Sequence, residues 1–274
     1  MLVKLTAALL KTPGLKIPGV FLCVFFSSVG IADCGLPSGQ AYPVARVSDG
    51  DTIKLEDGRS VRVLGINAPE IAQGKSSAQP LGREARAAAQ AFVQRSGGKV
   101  RLGFDRQQRD RYGRVLAHVY DVQGRSLAVE LLKQGMALQI SVPPNLTQEA
   151  CLAEFEHEAQ ARAAGVWRHH YWNAFPAKSL SPEESGFRHL RGRVVRVDIN
   201  TSVWLELEGN LVVQIAKYDW QYFGYSKQQW LALQGRNITL RGWVRARKVP
   251  QSTSLESFKP LVVQLRSPAA FTVQ

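Results

Sequence analysis

Residues 42–66 alternate apolar and polar side chains about an Asp57-Gly58 turn, with Val44, Val47, Ile53, Leu55, Val61, Val63 and Ile66 at the apolar positions. A period near two places such residues on one face of a strand, and Asp-Gly is a tight-hairpin signal. The folded part of the chain is therefore expected to open with a half-buried β-meander. Hydrophobic residues make up 45% and charged residues 21% of the 274, enough to bury a core and unlike a disordered tail.

After the meander the periods mix. The polar stretch 71–81 has no periodicity and reads as a loop. Gly82 to Gln94 reads as a helix with Ala85, Ala88, Ala89 and Phe92 at helical spacing, ended by Gly97-Gly98. Lys99–Asp105 and Arg114–Tyr120 read as strands, Ser126–Gln134 as a short helix closed by Gly135, and Thr147 as the cap of a long helix running to Gly165. Residues 176–186 have a linker composition. Beyond them the pattern is short strands: Gly192–Ile199, Val203–Glu208, Leu211–Ala216, Asn237–Val244 and Pro260–Leu265, with one helical or irregular piece at 226–234. Five strands with that interruption suggest a second domain, 187–274, that is a small closed OB-like β-barrel.

Residues 1–32 read as a signal peptide. Lys4, Lys11 and Lys16 precede the apolar run Val20–Phe26, and Gly30 and Ala32 form a small-x-small cleavage pattern. The run is shorter than the ~20 residues of a spanning helix. An uncleaved anchor is the alternative. Export to the periplasm or the medium follows, and two cysteines remain in the mature chain. An oxidising compartment allows Cys34 and Cys151 to pair; the other reading is two free buried thiols.

Lys and Arg number 35 against 22 Asp and Glu, a net charge of +13, which favours polyanionic partners. Residues 187–274 hold 13 basic and 5 acidic residues, so most of the positive field belongs to the second domain. The aromatics Tyr218, Trp220, Tyr222, Phe223, Tyr225 and Trp230, followed by Arg241, Arg245, Arg247 and Lys248, make a candidate platform for unpaired bases. The alternative is that half of these aromatics plug the barrel and the arginines are solvated. Nothing in the sequence points to a protein partner.

Four motifs carry the chemistry: Asp49-Gly50-Asp51-Thr52; Arg62 through Glu70 (Arg-Val-Leu-Gly-Ile-Asn-Ala-Pro-Glu); Asp110-Arg111-Tyr112-Gly113-Arg114; and Ala163-Ala164-Gly165-Val166-Trp167. In this order, over about residues 42–168, they resemble the staphylococcal-nuclease-like, or thermonuclease, family. The residues also make sense without the name. Phosphodiester hydrolysis needs a base for water, for which Glu70 is available, and positive charge on the phosphoryl group, for which the planar forks of Arg62 and Arg114 suit. Asp51, the Asn67 side-chain oxygen and a backbone carbonyl near Ala68 are hard oxygen donors fit for Ca²⁺. Read one at a time, Asp51 shapes a turn, Arg62 lies on a solvated strand face, Glu70 is a surface carboxylate and Arg114 pairs with Asp110.

The resemblance implies a mainly β, α+β domain at 33–175: an OB-fold-type five-stranded barrel with packed helices. It implies catalytic roles for Arg62, Glu70 and Arg114, calcium binding at Asp51 and Asn67, a nucleotide contact for Tyr112, and hydrolysis of DNA or RNA to 3′-phosphate ends. Asn67 and Ser141 stand where the family's archetype has aspartate and a base-stacking tyrosine. The loop 71–81, with Lys75, either closes over the substrate strand or is an ordinary connection. A catalytically silent nucleic-acid-binding scaffold of the same fold is the rival reading. The five histidines are not spaced as a zinc set.

Overall fold

The expected meander forms because its apolar positions all find the same interior. In a computed structural model that describes residues 34–35, 39–72, 78–248 and 258–274, strands β1 (Ala41–Asp49), β2 (Thr52–Leu55) and β3 (Ser60–Val63) follow one another antiparallel. Ile53, Leu55, Val61 and Val63 are each at most 1% exposed. The short β4 (Ile66–Asn67) follows. Helix α1 (Gly82–Arg95) lays Ala85, Ala89 and Phe92 on the barrel. Strands β5 (Lys99–Gly103) and β6 (Val115–Tyr120) complete a closed barrel in the order β1-β2-β3-β6-β5. Closure removes free sheet edges. The expected signal peptide lies outside the described residues. Among the described residues no helix is long and apolar enough to cross a membrane.

Ser126 caps α2 (Leu127–Lys133), its hydroxyl accepting from Val129 N. Strand β7 (Leu138–Gln139) pairs with β4. Helix α3 is shorter than its sequence pattern: it runs Glu149–Ala161, starting after Gln148, and Ala163 takes a left-handed φ of 48° that ends it. Thr147 does not cap it; its backbone N–H donates to Asp105 instead. A disulfide joins Cys151 on α3 to Cys34, across a sequence separation of 117.

The 176–186 stretch is not simply a tether. Phe175–Pro176 form β8, paired parallel to the next strand, and Ala177 and Leu180 are buried in a second core. That core fills a second closed barrel of β9 (Gly186–Ile199), β10 (Ser202–Leu207), β11 (Leu211–Ala216), β12 (Asn237–Ala246) and β13 (Leu261–Gln264). The eight-pair β12–β9 ladder closes it, and β14 (Phe271–Val273) adds to β12. Short helices α4 (Trp220–Phe223) and α5 (Lys227–Leu231) lie between β11 and β12. They account for the aromatic run: Trp230 is 1% and Phe223 6% exposed, and Trp220, Tyr222 and Tyr225 pack on the same core. The run is mostly a plug, because a small barrel has an open end to fill; only Tyr218 stands well exposed.

The two barrels share a third cluster, in which Leu138 and Val166 meet Trp172 and Phe187. Beside it Arg241 of β12 donates to Glu156 of α3 (Nη1 to Oε1, 2.8 Å) and to the Gln139 side chain (3.0 Å). Glu156 also accepts from Gln139 N at 2.6 Å. Arg241 is therefore an inter-barrel bolt, not part of a free basic surface.

Candidate active site

Register places the two arginines. β3 and β6 run parallel with Val61 opposite Val115, Arg62 opposite Leu116 and Val63 opposite Ala117. The valines and Ala117 point into the barrel, so Arg62, Leu116 and, one residue before β6, Arg114 fall on the outer face.

The Asp49-Gly50-Asp51-Thr52 motif is the β1–β2 turn, reached through register shifts that bend β1. Asp51 N donates to Asp49 Oδ1 at 3.0 Å, and both carboxylates are buried. Asp51 Oδ2 accepts from Ala68 N at 2.7 Å, which ties the turn to the chain leaving β4. Arg62 spans the space between: Nε lies 3.2 Å from Asp51 Oδ1, Nη2 donates to Asn67 Oδ1 at 3.2 Å, and Nη1 donates to the Val63 and Ile66 carbonyls. One guanidinium thus gathers the Asp51 and Asn67 oxygens.

Asp110 organises the other arginine. Its Oδ1 accepts from the backbone of Tyr112 and Arg114, and its Oδ2 from Arg114 Nε at 2.7 Å. Gly113, at φ 78°, lets the turn close. Tyr112 is 69% exposed, with the Arg111 guanidinium over its ring at 4.8 Å.

Glu70 is held from behind. Its N–H donates to Gln79 Oε1 at 2.9 Å, and its carbonyl accepts from Gln79 N at 2.8 Å. The first residue of α1 must be glycine here, since a Cβ on Gly82 would sit on the Glu70 carbonyl oxygen. The carboxyl opens to solvent but is crowded. That partial burial, then the charges of Asp51 and Asp49, push it up to about 7, while Arg62 and Arg114 pull the other way. Burial and Asp51 also push the Asp49 carboxyl up, to about 6.

Arg62, Glu70, Arg114, Asp51, Asn67 and Tyr112 all line one cleft of about 1060 Å³. Ala68 is buried beside it, and Lys75 lies outside the described residues. Ser141 is buried and accepts from the Gln139 side chain. Reading motif by motif missed Asp49, Gln79 and the far wall. Asp49 carried a signal, as the first acid of its own motif; Gln79 sits in an aperiodic loop and carried none. The far wall comes from the second barrel: Trp243, Arg245, Gln264 and Arg266 line the same cleft.

The donor set suits a hard cation. Asp51 and Asn67 present oxygens within reach of one guanidinium, with the Asp49 and Glu70 carboxylates crowded alongside. Among the described residues no three carboxylate, imidazole or thiol groups form a preformed cage. An ion here would therefore draw on amide, carbonyl or water oxygens as well.

Comparison with known proteins agrees with this geometry. Residues 60–169 match the family described as Staphylococcal nuclease homologue. The thermonuclease of Staphylococcus intermedius is 35% identical over 134 residues, 47% of this chain and 77% of that protein. The thermonuclease of Staphylococcus hyicus is 34% identical over 148 residues, 52% and 82% of the two chains. Endonuclease YncB of Bacillus subtilis is 38% identical over 127 residues, 44% and 59%. With likeness spanning most of two thermonucleases and a barrel that sets both arginines on one face, the chain belongs to the staphylococcal nuclease homologue family.

Proposed function

We propose that the chain is an exported, calcium-assisted nuclease that hydrolyses phosphodiester bonds of DNA or RNA to 3′-phosphate ends. The observation that carries the reading is the convergence of Glu70, Arg62 and Arg114 on one cleft, beside the Asp51 and Asn67 oxygens. Glu70, with a carboxyl near neutrality, takes the proton of the attacking water. The water oxygen bonds to phosphorus as the P–O5′ bond breaks. Arg62 and Arg114 hold the non-bridging oxygens through the charge-rich transition state, and Arg114 steadies the departing 5′-oxygen, which takes its proton from solvent. Asp51, Asn67 and an Ala68 backbone oxygen would hold the calcium, which when bound polarises the phosphoryl group. The Cys34–Cys151 bridge and the apolar N-terminal run support export, to the periplasm or beyond. Residues 33–175 act as the nuclease domain and 187–274 as its companion.

The test is digestion of single- and double-stranded DNA and of RNA, with calcium and with chelator, beside Glu70→Gln. A loss of at least ~100-fold is expected, the scale of a general base. Undiminished hydrolysis by the variant removes Glu70 as the base, and no hydrolysis by the parent with calcium leaves only a nucleic-acid-binding scaffold.

A further inference from the structure

The cleft has two walls, and only one belongs to the nuclease motifs. On β12 alternate residues face outward. Arg241 is bolted to Glu156, and the next two outward residues, Trp243 and Arg245, line the cleft. Trp243 is 40% exposed, a large apolar ring left half-open on the cleft wall. It is not loose: the buried Phe187 ring meets it edge-on at 5.0 Å. A pinned, half-open indole is ready to stack without paying further ordering entropy.

Arg245 is exposed, and among the described residues no carboxylate pairs with it; it donates only to the neutral Gln264 side chain, at 3.3 Å. Its neighbour Arg266 differs: Asp219 takes its charge at 2.8 Å and the Pro143 carbonyl takes its Nη2. Across the cleft Arg62 and Arg114 are each already matched by an aspartate. The unneutralised cation of the far wall thus sits two residues along the strand from an exposed aromatic.

We propose that Trp243 and Arg245 form a second-barrel subsite for an unpaired nucleotide, Trp243 stacking on its base and Arg245 taking a phosphate of the same strand. Aromatic stacking tolerates any base, and a fork-shaped cation suits a phosphodiester. A duplex buries its base faces in its own stack, so the subsite selects single strands. The inference rests on the nuclease reading for its orientation toward the cut bond, though binding can be measured apart from cleavage.

The test uses the full chain as Glu70→Gln, with fluorescence anisotropy of labelled dT12 and of the dT12·dA12 duplex. Adding Trp243→Ala should weaken dT12 binding about tenfold, within the range of one stacked base, and affect the duplex less. Trp243→Phe should restore most of it. Arg245→Gln, an exposed change with no packing to lose, should lower the slope of log affinity against log salt by about 0.7, one single-strand phosphate. The inference is overturned if Trp243→Ala and Arg245→Gln bind like the parent, if Phe is no better than Ala, if both ligands weaken equally, or if the parent binds neither. Should Glu70→Gln cleave like the unmodified chain, the role of Glu70 as base fails, while the same comparisons repeated with chelator still decide the subsite.

Discussion

Replacing Arg241 with methionine should cost this protein more than its place on an outward strand face suggests. The Arg241 side chain is 13% exposed and that of Glu156 only 3%, so the pair is nearly dry. Methionine keeps most of the stem's packing but strands the Glu156 carboxylate, whose remaining partner is Gln139 N, and leaves the Gln139 amide oxygen without its donor. Breaking a buried pair from one side costs about 3–5 kcal/mol. The Gln139 N–H bond offsets part of that, so about 3 kcal/mol is expected. For a chain this size that lowers the melting temperature by on the order of 8 °C. Glu156→Gln in the same chain should recover much of the loss, because a neutral amide is cheaper to bury than an unpaired charge. Melting curves of the parent, both single variants and the double variant form the cycle. A cost below about 1 kcal/mol for Arg241→Met, or strict additivity in the double variant, would refute the claim that this ion pair bolts the barrels together.

Other perturbations test other parts of the molecule. Gly82→Ala places a methyl group on the Glu70 carbonyl, so kcat on DNA should drop at least tenfold, with a stability loss of about 1–3 kcal/mol; unchanged kcat would show that the Glu70 backbone is not held at that contact. Burial pushes the His118 imidazole down to about 4, and among the described residues neither ring nitrogen has a hydrogen-bond partner. The unfolded chain binds that proton below about pH 6.5 and the folded chain does not until about pH 4, so stability is whole above 6.5 and falls between 6.5 and 4, by about 3 kcal/mol in all. His118→Leu should flatten that part of a melting-temperature profile, and an identical slope in both proteins would exclude His118 as its source. Reducing the Cys34–Cys151 bridge, which closes a loop over a separation of 117 residues, should lower stability by up to ~4–5 kcal/mol in denaturant titrations with and without dithiothreitol; coincident curves would count against a constrained unfolded state.

Much of the first barrel and its site was legible because it is written locally. Alternation about Asp57-Gly58 sets β2 and β3, and Ala85, Ala89 and Phe92 set the buried face of α1. Each arginine lies within or beside the turn or strand that aims it: Arg114 is held by Asp110, four residues away, and Arg62 reaches Asn67, five residues on. Strand positions in the second barrel were legible for the same reason, Leu211–Ala216 to the residue. Composition misled where tertiary packing reused a segment. The 176–186 stretch contributes Ala177 and Leu180 to a core, and the aromatic run after Tyr218 mostly fills a barrel end.

Sequence alone picked out the candidate site side chains and the period of the elements that carry them, because short turns and strand alternation act over a handful of residues. The tertiary structure decided that Arg241 meets Glu156 across 85 positions, that Gln79 pins Glu70 through a loop with no pattern, and that Trp243 and Arg245 face the nuclease motifs. Those contacts depend on how two closed barrels pack around a shared apolar cluster, and no local period encodes the angle at which they meet.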